Sequence, residues 1–340
     1  MRASAGDGSA GFSNYFAEQI KLARSEIDWG SRERALEIWR RMHAQFPDLT
    51  LKSEKAFNVF IDIGSLDEAE ALIQAGRKRY PRYRSVHAAA FARVAYRRGD
   101  FEEALRRYEI VRRKFPWVID SYDIAAACLS DLGRHDEAEE MLKLGVRKHP
   151  DNFELCRRYA QAATRRTDWP EGLRRWRVLS NRQEIVGFLG EAECLRQIGR
   201  PDEADVVLTD ACERFRGNSY PFVEAALLSA SRGNLQEAVD RWKTVLDRFP
   251  GHESAYPKAA EAYRKNGQAA QADEVLRIGV TRFPTNLAIH LEYARNAHHR
   301  GDPTAECERW ALVRERFPTC AEARQQETAA QQHGSSVLPA

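Results

Sequence analysis

Apolar positions along the chain return every three or four residues in runs of about 14, and each run faces polar positions on the other side of a helical wheel. Gly and Pro break the runs at regular intervals. The clearest run, GDFEEALRRYEIVRRKFP at 99–116, returns as GNLQEAVDRWKTVLDRFP at 233–250 and as GDPTAECERWALVRERFP at 301–318. The opening glycine falls at Gly30, Gly64, Gly99, Gly133, Gly199, Gly233, Gly267 and Gly301, at spacings of 34, 35, 34, 66, 34, 34 and 34 residues. The 66-residue gap hides one unit in which Thr167 stands for glycine, so nine units follow. A 34-residue period predicts stacked pairs of helices.

Several columns accompany the glycine. Seven residues before it stands Ala23, Ala92, Ala126, Ala160, Ala192, Ala226, Ala260 or Ala294, with Phe57 as the exception. Five residues after it stands Ala35, Ala69, Ala104, Ala138, Ala204, Ala238 or Ala272, with Gly172 and Glu306 in the fifth and ninth units. Nine after it comes a large side chain: Trp39, Ile73, Tyr108, Leu142, Trp176, Leu208, Trp242, Leu276 or Trp310. Seventeen after it, seven units carry Pro. The small columns let two helices approach, and the large one fills the space between units. Glycine ends the first helix and turns into the second, which proline stops. Helices of this length are marginal alone, so stacking must supply the core.

These columns resemble those of the tetratricopeptide repeat family, over residues 13–333. Alanine stands in the first small column where that family often has glycine. The resemblance implies an all-α, right-handed α-solenoid whose first helices line a concave groove that binds other proteins. The expected organisation is a disordered 1–12, with Ser13 as the first N-cap, nine repeats over 13–318, a capping helix at 319–333 and a loose tail at 334–340. The fifth repeat, about 151–181, lacks the terminal proline and is two residues short. It is expected to distort the stack.

A longer period of about 68 residues lies over the first. Odd units carry Trp or Tyr in the large column and even units carry aliphatics; each odd ring is expected to lean over the apolar residue of a neighbouring even unit. Odd units also place Arg107, Arg175, Arg241 and Arg309 just before the ring. Three of them follow a glutamate by four residues (Glu103, Glu171, Glu237), which predicts ion pairs on an exposed helix face rather than a phosphate ladder.

In this register the groove collects Asp28, Glu54, Asp62, Asp123 and Asp131 in the first four units, and Arg157, Arg165, Arg196, Arg264, Lys265, Arg295, His298 and His299 from the fifth onward. Arg93, Arg97, Glu193 and Glu261 break the division. A groove acidic at one end and basic at the other would orient a partner; several of the cations also lie at helix C-termini, where the dipole favours them in any case. Asn58 matches one place of the family's carboxylate clamp, but Glu54 and Asp62 beside it are acidic, so capture of a C-terminal carboxylate is not expected. The candidate partner-binding residues are Arg93, Arg97, Arg157, Arg165, Arg196, Arg264, Lys265, Arg295, Asn58 and Asp123.

Composition changes this picture little. A net charge of +3 in 340 residues does not by itself argue for nucleic acid. No segment approaches 18 consecutive apolar residues, and the first twelve contain no apolar core of a secretory signal. Six cysteines without a CxxC pair read as small core residues in a reducing, cytoplasmic setting. GDGSAG at 6–11 matches a dinucleotide loop in form only, since no βαβ unit follows it. His298 and His299 are adjacent and point to different faces, so no shared metal is expected. No catalytic motif is present, so neither enzyme activity nor a cofactor is expected. The reading is a scaffold or adaptor for a protein or peptide, with an acidic segment as its natural complement. The block RW…FP with DEA also resembles bacterial helical-repeat proteins that accompany glycosyltransferases and sulfotransferases in surface-polysaccharide pathways. The alternative is an RNA-processing scaffold, because LEYARNAHHRG at 291–301 resembles half-tetratricopeptide repeats.

Overall fold

A computed structural model describes residues 7–323, which contain helices and turns and no strand. The helices follow the repeat in pairs. Units one to four are α1 (Asp7–Asp28) with α2 (Arg32–Gln45); α4 (Glu54–Ile63) with α5 (Leu66–Arg79), preceded by the single turn α3 (Pro47–Thr50); α6 (Arg84–Arg97) with α7 (Phe101–Lys114); and α8 (Asp120–Asp131) with α9 (His135–Lys148). Then come α10 (Phe153–Arg165) with α11 (Trp169–Ser180), α12 (Ile185–Gln197) with α13 (Pro201–Arg214), α14 (Ser219–Ser231) with α15 (Leu235–Arg248), α16 (Ala255–Lys265) with α17 (Ala269–Arg282), and α18 (Leu287–His299) with α19 (Pro303–Arg316). The chain divides into two compact units, Met1–Ala162 and Ala163–Ala340. Below, the first helix of a pair is its A helix and the second its B helix.

All eight column glycines adopt positive φ, between 67° and 100°, and Thr167 takes the ninth place at φ 61°. The turn is a Schellman closure: Gly99 N–H reaches Tyr96 O at 3.0 Å and Asp100 N–H reaches Ala95 O at 3.1 Å. Thr167 and Asp168 repeat it onto Thr164 and Ala163, both at 3.0 Å. The residue after the turn then caps the B helix, as Asp100 accepts from Glu103 N–H and Asp302 from Ala305 N–H. Both alanine columns and the whole large column are buried.

Several expectations need correction. Helix α1 is already formed at Asp7, six residues before Ser13, in a stretch without proline. Of the capping helix, only 319–323 are described, where Ala323 is buried beside Trp310 and Val313; the rest, with the tail, lies outside the described residues. The odd rings lean on the A helix of the next unit: Trp39 stacks on Phe60 at 3.8 Å and donates to Ala56 O at 3.1 Å, and Trp176 lies flat over Gly190, where a Cβ would meet the indole at 2.3 Å.

The short fifth unit brings its neighbour closer. Helix α11 ends two residues early, and Gln183 turns the chain at φ 63°. A Cβ at Gly187 would lie 2.2 Å from Ser180 N, so backbone meets backbone there. Glu191 is buried in this contact, where it accepts from Arg177 Nε at 2.8 Å and Ser180 Oγ at 2.6 Å.

Candidate partner-binding site

The A helices present the register that sequence assigns to the groove, and on it the cations are largely matched by carboxylates. In the first compact unit Asp62 of α4 is held by Arg24 of α1 at 3.4 Å and Arg97 of α6 at 3.2 Å. Arg93 pairs with Asp120 of α8 at 3.2 Å, and Asp123 with Arg158 of α10 at 2.6 Å. Arg157 turns back to Glu154 on its own helix. In the second unit Arg196 pairs with Glu193 and Lys265 with Glu261, while Arg264 of α16 reaches Glu292 of α18 at 2.9 Å. Arg295 holds Glu292 at 2.8 Å and Glu322 at 2.7 Å. Asn58 is half-buried, and Arg165 is exposed with no ion pair among the described residues. The expected division into acidic and basic ends is therefore replaced by an alternating ladder. It was hidden because the neutralising acids Asp120, Glu154, Glu292 and Glu322 fall outside the register positions chosen for the groove.

Four of the expected residues converge on one cleft of about 780 Å³ between α16 and α18: Arg264, Lys265, Arg295 and His299. Pro257, Ala288 and Leu291 form its apolar floor, and Lys258 adds a further cation. Glu261 and Glu292 are the only acids lining it among the described residues, so it keeps a basic excess. Glu292 carries opposed influences: burial pushes its carboxyl up, but hydrogen bonds from Arg295 and Arg264 bring it below the ordinary range. Its proton is lost and both guanidiniums are held in place.

The arginine ladder is not on an exposed face. Arg107, Arg175, Arg241 and Arg309 show only 6–22% of their side-chain surface. The i,i+4 pairs form, at 2.7 Å for Arg107, 2.6 Å for Arg175 and 2.6 Å for Arg241. Three of the guanidiniums also reach beyond their own helix. Arg107, Arg241 and Arg309 donate to the carbonyls of Phe91, Ala225 and Tyr293, each sixteen residues back, at 2.8, 3.0 and 2.9 Å. Arg241 grips Asp205, and Arg309 grips Asp273 at 2.6 and 2.8 Å. Asp273 also accepts from Asn296 and Arg300, both at 2.8 Å. Arg241 and Arg309 thus bind one B helix to the preceding one, and Arg107 binds its B helix to the A helix of the same unit, so these side chains are unavailable to phosphate.

A second column also escaped the sequence reading. The residue capping each B helix is a ring in eight units, as in Phe215, Phe249, Phe283 and Phe317. In five of them it packs edge-on or tilted against a ring eleven residues before the glycine, as in Phe188–Phe215 at 5.6 Å and Tyr256–Phe283 at 5.5 Å. Tyr122, Tyr256 and His290 at that place also donate to the carbonyls of Pro116, Pro250 and Pro284. The proline column therefore anchors the next unit as well as stopping the last.

Cys128, Cys156 and Cys194 are buried core residues, and Cys212, Cys307 and Cys320 are half-buried. Burial pushes the Cys128 thiol up to about 12 and those of Cys194 and Cys212 up to about 11, so none is a ready thiolate. Among the described residues no group of three or more His, Cys, Asp and Glu could hold a metal ion, and no helix is long and apolar enough to cross a membrane.

Residues 89–153 match the family model described as tetratricopeptide repeat. No curated protein matches the chain. Among solved structures, the chain is similar to the APC/C hetero-tetramer Cut9–Hcn1, at 13% identity and a TM-score of 0.42, with 88% of this chain covered and 60% of that one. It thus spans less than two thirds of that chain's length. It is also similar to a tetratricopeptide repeat protein from Parabacteroides merdae, at 13% identity, a TM-score of 0.48 and coverage of 73% and 98%. A third similarity is to MamA from Desulfovibrio magneticus RS-1, at 16% identity, a TM-score of 0.41 and coverage of 49% and 96%.

Proposed function

We propose that the chain, which matches the tetratricopeptide repeat model over residues 89–153, is a non-catalytic scaffold that holds a partner protein or peptide against its A helices, with the α16–α18 cleft as the principal seat. The observation that carries this reading is the cleft itself. Its cations are fixed by acids on the same face, its floor is apolar, and its charge excess is positive. Such a surface complements a segment with acidic residues flanking an apolar side chain. A place beside glycosyltransferases or sulfotransferases of surface-polysaccharide assembly is a finer proposal, supported by the repeat block alone.

RNA is the alternative ligand. The ion-pair ladder favours protein over RNA, because a cation already matched by a carboxylate contributes little to counterion release. The test is co-purification from native extract with wild type and a Lys258→Glu/Lys265→Glu variant, each with and without RNase. Both lysines are more than half exposed and neither bridges helices, so the fold should persist. A protein lost from the variant and indifferent to RNase supports the scaffold reading. RNA recovered by wild type alone would replace it with the alternative, and a variant that keeps every partner would remove the cleft from the account.

A further inference from the structure

A second cleft, of about 1080 Å³, opens on the B-helix side of the first compact unit, between α5, α6 and α7. Its rim carries Arg77, Lys78, Arg84 and Lys114, all exposed and none with an acidic partner among the described residues. Its floor includes Phe91 and the 53%-exposed Ile110. Glu103 is the only acid lining it and is taken by Arg106 and Arg107.

The repeat supplies an internal control. The cleft at the same register between α13, α14 and α15 measures about 270 Å³. There Phe222 fills the place that Ala88 leaves open, with the Arg248 guanidinium stacked 4.6 Å over its ring. Arg241 is neutralised there by Asp205 as well as Glu237. In the larger cleft the carboxylate at Asp205's register position, Glu70, is drawn away by Arg98 at 2.5 Å. Where the larger cleft has Arg77, Lys78 and Arg84, the smaller has Cys212, Glu213 and Asn218. An open, uncompensated cationic cleft is thus a local property of these units, not of the repeat.

We propose that the α5–α7 cleft is a second docking site, which takes an acidic peptide segment of a partner protein with an aliphatic side chain seated on Ile110. Its four free cations call for an anionic ligand. The floor favours a peptide over a nucleic acid: the exposed anchor, Ile110, is aliphatic, the Phe91 ring is stacked by the Arg107 guanidinium at 3.6 Å, and the Phe115 ring packs edge-on against Trp117 at 5.6 Å. An acidic segment with one aliphatic anchor matches both features.

The probe is a short fluorescent peptide of alternating Glu and Asp around a central Leu, titrated into the full chain by anisotropy. Lys78→Glu/Lys114→Glu should weaken binding about tenfold or more, and Ile110→Asp by a similar factor, with unchanged helical circular dichroism. Replacing the central Leu by Gly should weaken it too. The titration is made in the Lys258→Glu/Lys265→Glu background, which disables the other cleft, and Lys143→Glu, on α9 and lining neither cleft, should leave this binding unchanged, so the two sites fail or succeed separately. The proposal is overturned if wild type does not bind the peptide, if the α5–α7 variants bind as wild type does, or if a single-stranded RNA oligonucleotide competes more strongly through the same residues.

Discussion

Thr167 is the one unit-opening position where a β-branched residue must adopt the left-handed conformation that glycine takes elsewhere. Thr167→Gly should therefore raise stability by about 1 kcal/mol, read from urea unfolding. Three histidines give a second expectation. Burial holds His43, His87 and His290 below their ordinary value of about 6.5. His87 is fully buried, with Nε2 2.7 Å from Leu51 O. Just below pH 6.5 the folded chain thus binds fewer protons than the unfolded one, and stability must fall as pH drops through that window. Glu171 adds a second window: hydrogen bonds from Arg174 and Arg175, against an opposing effect of burial, hold its carboxyl at about 2. Its contribution is complete above the ordinary carboxylate value and is lost as pH falls toward 2. Urea midpoints measured between neutral pH and about pH 5.5 should decline, and His87→Gln should flatten part of the decline.

At the scale of elements, the paired period of the sequence has its physical basis in what each helix offers the next. An odd B helix presents a ring to the following A helix, so Trp242→Ala should cost about 3–5 kcal/mol in denaturant unfolding. Even B helices are small one turn further on, at Gly76, Gly145 and Gly279, where an added Cβ would meet His87, Tyr122 or Ile289 at 3.0 Å or less. Asp273 ties three helices together through Asn296, Arg300 and Arg309; Asp273→Ala should cost about 2–4 kcal/mol because it strands buried donors. The turns, the alanine columns and the large column were legible because each depends on one residue at one place in the period. The role of the arginines was not, since an i,i+4 rule looks only along one helix. Their acids at Asp205 and Asp273 lie 36 residues back, a spacing visible only when the period of two is applied to charges as well as rings. The irregular fifth unit is of the same kind: a helix two residues short is matched by Gly187 and Gly190 in the next helix. Gly187→Ala should therefore destabilise by about 1–3 kcal/mol.

Over the whole molecule, the near balance of 53 basic and 50 acidic side chains is realised locally, as a mesh of pairs along and between helices. This is why charge counts along the groove register overstated its polarity. The clefts that keep a positive excess are the places where the mesh is incomplete, and the scaffold reading turns on the one between α16 and α18. The most direct test is a photo-crosslinking amino acid placed at Leu291, on the floor of that cleft, or at Ile278, exposed on the neighbouring B helix α17, with the full chain irradiated in native extract. The account predicts a discrete protein adduct from position 291 that is absent from position 278 and is abolished by Lys258→Glu/Lys265→Glu. Adducts from 278 alone, or adducts from 291 that survive the charge reversal, would contradict it.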